Sequence, residues 1–250
     1  MKTLGFTNLF IEKINNHQIK PYEKKTLTIL KGKDKIEYES FKIDEKISGN
    51  NRNFFYITEH VFLRNSYNNI ISNQTTSTFY KKHIFDSSSI VPLIISFSNN
   101  KFPQKFMDFG TGGGFPGLVL LTYFPRVFVL FLDSIEKKNH FHEGMFRILE
   151  SKNSNSISSR GEQLVLSKMH KETYHIITSR AVADLGELLK IFFKFSKDNG
   201  KLIAMKKIKG CGHEFNNAKS ELSSGKIKIK CLVKIDKKKQ GKSVFLFKKF

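Results

Sequence analysis

Met107-Asp108-Phe109-Gly110-Thr111-Gly112-Gly113-Gly114-Phe115-Pro116-Gly117 is the most informative stretch of this chain. It closes one apolar run, passes through a dense glycine turn and opens a second apolar run from Leu118 to Phe124. That order reads as strand, tight loop and helix, the opening of a nucleotide-binding α/β sheet. Glycine suits such a loop because the backbone can turn with positive φ and no Cβ stands between it and a ligand. Pro116 suits the first helical turn, where its missing N–H costs nothing.

The spacing narrows the reading. A dinucleotide fingerprint asks for G-x-G-x-x-G; Gly110 and Gly112 meet its first two positions, but the third falls on Phe115. What the chain carries is Asp108-x-Gly110-x-Gly112-x-Gly114, the acidic-glycine form used by methyltransferases that bind S-adenosylmethionine. The next strand, Val127 to Leu132, ends in Asp133, whose carboxylate could accept hydrogen bonds from both ribose hydroxyls. A nicotinamide enzyme also places an acid there, so Asp133 leaves that alternative open, while Phe115 argues against it.

The chain has 250 residues, room for one full α/β domain and a smaller appendage. Its formal net charge of +21 is more than a fold requires and favours polyanionic partners, nucleic acid first. Phenylalanine occurs 25 times and tryptophan not at all, alongside abundant lysine and asparagine, a pattern that compositional drift also produces. No apolar run is long enough to span a bilayer, and Met1 to Phe6 lacks the apolar core of a secretory signal. With Cys211 and Cys231 as the only cysteines, the expectation is a soluble protein in a reducing compartment. Cys211-Gly212-His213-Glu214 is read as a loop with an incidental cysteine, not a metal centre.

Three regions follow: a polar extension over 1–50, a helical region over 51–100, and an α/β domain over 101–250. A short strand or a helix fits Thr26 to Leu30, and loosely helical segments run from Phe54 to Ile71 and from Phe79 to Ser96. From there strands are expected at Lys105–Phe109, Val127–Leu132, Ser154–Ser158, His175–Ser179 and Gly200–Met205. Helices are expected at Pro116–Phe124, Lys137–Glu150, Gly161–Lys168 and Leu185–Ser196. Such alternation implies a parallel sheet with helices on both faces. Lys226–Ile235 and Ser243–Phe247 read as a terminal antiparallel hairpin. The expected fold is therefore α/β, a Rossmann-like class I methyltransferase domain preceded by a small helical region.

Several motifs, taken in order, resemble one family. They are Lys82-His83-Ile84-Phe85-Asp86-Ser87, the Asp108 to Gly117 loop with its Phe-Pro-Gly ending, and Leu132-Asp133-Ser134 with Lys137, Lys138 and Phe141. Arg160-Gly161-Glu162 and Ser179-Arg180-Ala181-Val182-Ala183 follow, and Asn65 and Asn69 precede the histidine motif. The chain resembles the ribosomal RNA small subunit methyltransferase G family, also called glucose-inhibited division protein B, over about residues 60 to 250. The resemblance implies methyl transfer from S-adenosylmethionine to the 7-nitrogen of a guanine in small-subunit rRNA, free or in an assembly particle. It implies cofactor contacts at Gly110, Phe115, Gly161, Glu162 and Arg180, besides Gly112 and Asp133. It also implies a bacterial cytoplasmic location, an organelle of bacterial origin staying open. The chain departs from the family pattern at His175, where an acid is usual, and at Lys207, where a glycine is expected.

Guanine N7 carries an in-plane lone pair and no proton, so the reaction asks for alignment rather than a general base. The sequence offers no convincing acid–base pair, and no catalytic residue or metal ligand is assigned. His83 with Asp86 reads as a positioning pair near an RNA entrance or as a helix-stabilising contact. Lys82, Lys137 and Lys138 are phosphate-contact candidates. An RNA-binding module without catalysis stays open beside the enzyme reading.

Overall fold

The glycine loop sits where a parallel sheet reverses its direction of growth. The computed structural model describes residues 25–31, 34–40, 52–72, 74–97, 105–180, 182, 184–207, 214, 218, 221–222, 227–235 and 242–250. The described residues begin with a hairpin, β1 (Lys25–Lys31) and β2 (Asp34–Ser40), followed by helix α1 (Arg52–Asn68). A broken helical region comes next: α2 (Thr76–Phe79), a π-helical turn over Tyr80–Phe85, α3 (Asp86–Ser88) and α4 (Val91–Phe97). The α/β alternation then runs β3 (Lys105–Phe109), α5 (Gly117–Tyr123), β4 (Phe128–Asp133), α6 (Glu136–Ile148), β5 (Ser154–Ser158) and α7 (Gly161–Leu164). It continues with β6 (Tyr174–Arg180), α8 (Leu185–Phe195) and β7 (Ser196–Lys207), and closes with β8 (Ile227–Ile235) and β9 (Lys242–Lys249).

The sheet order is β1-β2-β8-β9-β7-β6-β3-β4-β5. Strands β7, β6, β3, β4 and β5 pair in parallel, and β9 is antiparallel to both β7 and β8. The chain winds outward from β3 to β5 and then crosses to β6 on the other side of β3. A crevice therefore opens between the carboxyl ends of β3 and β6, the place where open α/β sheets bind ligands.

The central strands read as nearly continuous apolar runs because both of their faces are covered. Phe106, Val129, Phe131, Ile176 and Ile203 pack with α1, α5 and α6 in one buried cluster. Met107, Leu130, Leu132, Ile177, Leu202 and Ala204 pack with Leu188, Leu189 and Phe192 of α8 in the other. Asp184 caps α8, its carboxylate accepting from Gly186 N at 2.8 Å.

The expected strands and the terminal hairpin are all found, with ends moved by a few residues. Three segments differ from the sequence reading, each for a physical reason. Residues 25–40 adopt the strand option rather than the helix, and β2 meets the sheet through Tyr38 opposite Leu232. The helix expected from Phe79 to Ser96 is interrupted, with Pro92 in the first turn of α4, where a missing N–H is tolerated. The helix expected over Gly161–Lys168 stops at Leu164, because Leu166 and Met169 beyond it are exposed and offer no apolar face to bury.

Candidate functional site

The loop hangs from Asp108, the last residue but one of β3. Its carboxylate is fully buried and accepts from Thr111 Oγ1 at 2.6 Å and Gly117 N at 2.8 Å on one oxygen. Thr178 Oγ1 of β6 donates to the other at 3.0 Å. Burial pushes the Asp108 carboxyl up to about 6, while these hydrogen bonds and the Arg180 charge oppose the shift. The group is ionised at neutral pH, and it ties both ends of the loop to β6. Asp108 is a structural anchor rather than a ligand contact, a role the acidic-glycine spacing alone did not reveal.

The glycines of the loop divide by what a side chain would meet. A Cβ on Gly110 would overlap Val182, one on Gly114 would come within 2.6 Å of Leu118, and one on Gly117 would overlap Phe131. Gly161, after β5, leaves room for Phe109, which a Cβ would approach to 2.6 Å. Gly112 is different: its φ is +58° and, among the described residues, a Cβ there would meet only Gly110 O, at 4.0 Å. Among these positions it is Gly112 that opens onto free space.

The Gly112 peptide is held from both sides. Its N–H donates to Asp133 Oδ2 at 2.8 Å, and its carbonyl lies 2.9 Å from His142 Nε2. Asp133 Oδ1 also accepts from Ile135 N at 3.0 Å, and Lys138 Nζ stands 3.7 Å from Oδ2. His142 is fully buried on α6, and desolvation lowers its pKa to about 4, so the ring is neutral at physiological pH. Neither the loop spacing nor the motif reading pointed to His142. Its one sequence signal is a histidine in register with Met145 and Phe146 on the buried face of a helix.

Arg180, at the end of β6, closes the other wall. Its guanidinium donates to Lys82 O at 3.1 Å and to His83 Nδ1 at 2.8 Å, and it lies 5.5 Å from the centre of the Phe115 ring. Burial lowers its pKa to about 10 and Asp108 opposes the shift, so the charge persists at neutral pH. Arginine has no acceptor, so His83 Nδ1 is the unprotonated nitrogen and Nε2 carries the hydrogen. The Gln74 side-chain amide lies 2.9 Å from Nε2, while Gln74 Oε1 is buried without a hydrogen bond among the described residues. Turning that amide over places Oε1 as acceptor of Nε2–H and satisfies both groups. The His83 ring further packs against Phe79 and Phe115, each at 5.0 Å between centroids.

The sequence-derived candidates thus differ in where they fall. Gly110, Gly112, Asp133, Gly161 and Arg180 converge on the carboxyl edge of the sheet, where Glu162 stands exposed in the first turn of α7. Phe115 is also there, but its side chain is 1% exposed and packed under Arg180. The ring nitrogens of His83 face Arg180 and Gln74, so an RNA contact through them would displace one of these partners. Lys82 and Lys137 are exposed, whereas Lys138 leans on Asp133. Cys211, Gly212 and His213 lie outside the described residues; Glu214 pairs with Lys206 at 2.8 Å. Among the described residues no group of three or more His, Cys, Asp or Glu is placed to hold a metal, and no helix is long and apolar enough to cross a membrane.

Comparison with known proteins gives this geometry a family. Residues 50–242 match the family described as rRNA small subunit methyltransferase G. A protein of that name from Mesoplasma florum is 35% identical over 150 residues, 60% of this chain and 60% of its own. Another from Acetivibrio thermocellus is 36% identical over 148 residues, 58% of each chain. The matched region thus spans under two thirds of the length of these relatives. An O-methyltransferase from Bacillus cereus, solved in complex with SAH, shares the fold at a TM-score of 0.56 and 11% identity, covering 78% of this chain and 91% of that one. A putative O-methyltransferase from Klebsiella pneumoniae does so at 0.56 and 8%, covering 77% and 89%. The parallel sheet, its terminal antiparallel pair and the family match over most of the sequence agree: the chain belongs to the rRNA small subunit methyltransferase G family.

Proposed function

We propose that this protein transfers a methyl group from S-adenosylmethionine to the 7-nitrogen of a guanine in small-subunit ribosomal RNA, in the bacterial cytoplasm. The observation that carries the reading is the Gly112 peptide, held at both ends and open on its Cα side, at the crevice between β3 and β6. A nucleoside-bearing cofactor fits there. Gly112 leaves room for its backbone-facing edge, and Asp133 keeps acceptor capacity beyond its two backbone amides. Gly161 and Glu162 border the same edge after β5. When bound, S-adenosylmethionine supplies an electrophilic methyl on a sulfonium centre.

The titratable groups that touch this wall support an acceptor needing no base. Asp108 and Asp133 are engaged with hydroxyls and amides, His142 with Gly112, and His83 with Arg180 and Gln74. A guanine N7 gives up no proton on attack, so holding the partners in line is sufficient. Arg180 would contribute by fixing the acceptor side of the crevice, braced from the π-helical turn. The deciding experiment is calorimetry with S-adenosylhomocysteine and with a nicotinamide dinucleotide, followed by mass mapping of methylated rRNA. Binding of the first ligand alone and a new 7-methylguanosine are expected. Nicotinamide binding, or cofactor binding without methylation, would replace this reading.

Two predictions arise from the site. Asp133→Ala removes the acceptor of the Gly112 and Ile135 amides, and titration should find S-adenosylhomocysteine affinity weakened by about 1–3 kcal/mol. Unchanged affinity would make Asp133 a loop support only. RNA binding should weaken steeply as salt rises, because each neutralised phosphate releases counterions. In a salt series Lys137→Glu should lower RNA affinity and flatten that slope with cofactor affinity intact. Lys138→Glu should weaken cofactor binding too, since it sets a second carboxylate beside Asp133.

A further inference from the structure

The buried face of α6 is apolar at Phe141, Met145 and Phe146, yet it also carries Asn139 and His142, both buried. Polar groups in such a place are costly unless each finds a partner. Here they form a chain: Asn139 Oδ1 lies 2.7 Å from Ser156 Oγ, Ser156 Oγ lies 3.0 Å from His142 Nδ1, and His142 Nε2 lies 2.9 Å from Gly112 O. The carbonyl can only accept, so Nε2 carries the ring hydrogen. A neutral ring then accepts at Nδ1 from the Ser156 hydroxyl, and the Asn139 amide turns its NH2 toward Ser156. Both ring nitrogens of His142 and the Ser156 hydroxyl are satisfied in this arrangement, and the line ends on the peptide that borders the crevice.

From this geometry we propose that His142 is a positioning residue: it holds the Gly112 carbonyl, while Asp133 holds the Gly112 N–H, so that the open side of Gly112 faces the cofactor. Both holds come from one β4–α6 unit, so the loop's orientation is set by the packing of that helix on β5. Asp133 and Lys138 are the charged groups that bear on the ring, with opposite effects on its protonation. The Gly112 carbonyl sets the tautomer, Ser156 donates to Nδ1 and Asn139 orients the Ser156 hydroxyl; neither side chain need touch a ligand. The role assumes that the crevice binds S-adenosylmethionine.

The test combines two readouts. Nitrogen-15 NMR of the ligand-free protein should show His142 as the neutral Nε2–H tautomer, and Ser156→Ala should keep it, because the Gly112 carbonyl accepts only; a switch to Nδ1–H in that variant would show that the carbonyl does not hold the ring. His142→Leu removes the donor at similar volume, and it should weaken S-adenosylhomocysteine binding about tenfold. KM for S-adenosylmethionine should rise in step, with kcat and the KM for RNA held. His142→Gln, whose amide reaches the same carbonyl, should restore most of the affinity; if His142→Leu does not fold, His142→Gln and Ser156→Ala carry the test. An Nδ1–H tautomer in wild type would overturn the proposal. So would wild-type affinity in folded His142→Leu, or a loss of kcat with KM unchanged. Wild-type protein that binds no S-adenosylhomocysteine would instead overturn the cofactor reading on which the proposal rests, whereas the tautomer is read without any ligand.

Discussion

Gly112→Val is expected to abolish S-adenosylhomocysteine binding, weakening it by about 100-fold or more, or over ~2.7 kcal/mol. Two effects act together. At φ +58° a β-branched residue is strained, costing about 1–3 kcal/mol, and its methyls would fill the open space beside the loop. Because no described residue other than Gly110 comes within 4 Å of that position, the folded domain should survive with a moderate fall in Tm. Gly114→Ala is the contrasting control. Its Cβ would press on Leu118 at 2.6 Å, so it should lower Tm without pointing into the crevice. Calorimetry beside thermal unfolding separates the pair. A folded Gly112→Val protein with wild-type affinity would move the cofactor away from this loop.

Arg180→Ala should be the most damaging change on the opposite wall. It leaves Lys82 O and His83 Nδ1 without their donor and removes the cation that opposes the rise in the Asp108 pKa. Loss of a partner in such a cluster costs about 3 kcal/mol, to be read as a lower midpoint in denaturant. Arg180→Lys restores the charge but cannot span two acceptors with a planar fork. It should therefore fold and still transfer methyl groups about 100-fold more slowly, the scale of a misplaced reactive geometry. Single-turnover rates on rRNA with saturating S-adenosylmethionine measure this directly. If Arg180→Lys matches wild type, Arg180 acts through charge alone and the His83 brace is incidental.

The sign of the pH dependence follows from Asp108 and His142. The folded pKa of Asp108 is raised from 3.8 to about 6, so the folded state binds the extra proton between these values and stability falls as pH rises through them. The folded pKa of His142 is lowered from 6.5 to about 4, so the unfolded state binds the extra proton there and stability rises with pH. The two oppose each other across most of the same window. Only the difference between wild type and His142→Leu should expose the histidine's part.

Much of the architecture was legible along the chain because its signals are local. The apolar runs at Lys105–Phe109 and Phe128–Asp133 and the glycine turn between strand and helix each express themselves within a few residues. So does the polar–apolar alternation of the closing hairpin, and their order implied the parallel sheet. The broken helix over residues 76–97 was not legible, since a π-helical turn is decided by what it packs against. The spacing of the glycines likewise could not say which of them faces a ligand. That depends on Val182, Leu118 and Phe131 filling the space beside the others.

The amino-acid sequence by itself determined the fold class, the family resemblance and the edge of the sheet that carries the candidate site, because repeat period and motif spacing are properties of the chain. Tertiary structure alone decided how the site is held. Thr178 reaches Asp108 across 70 residues, Arg180 reaches His83 across 97, and His142 reaches Gly112 across 30. A hydrogen bond forms where two groups are brought within about 3 Å with the right orientation. No local pattern records which distant groups the folding of a sheet will bring that close.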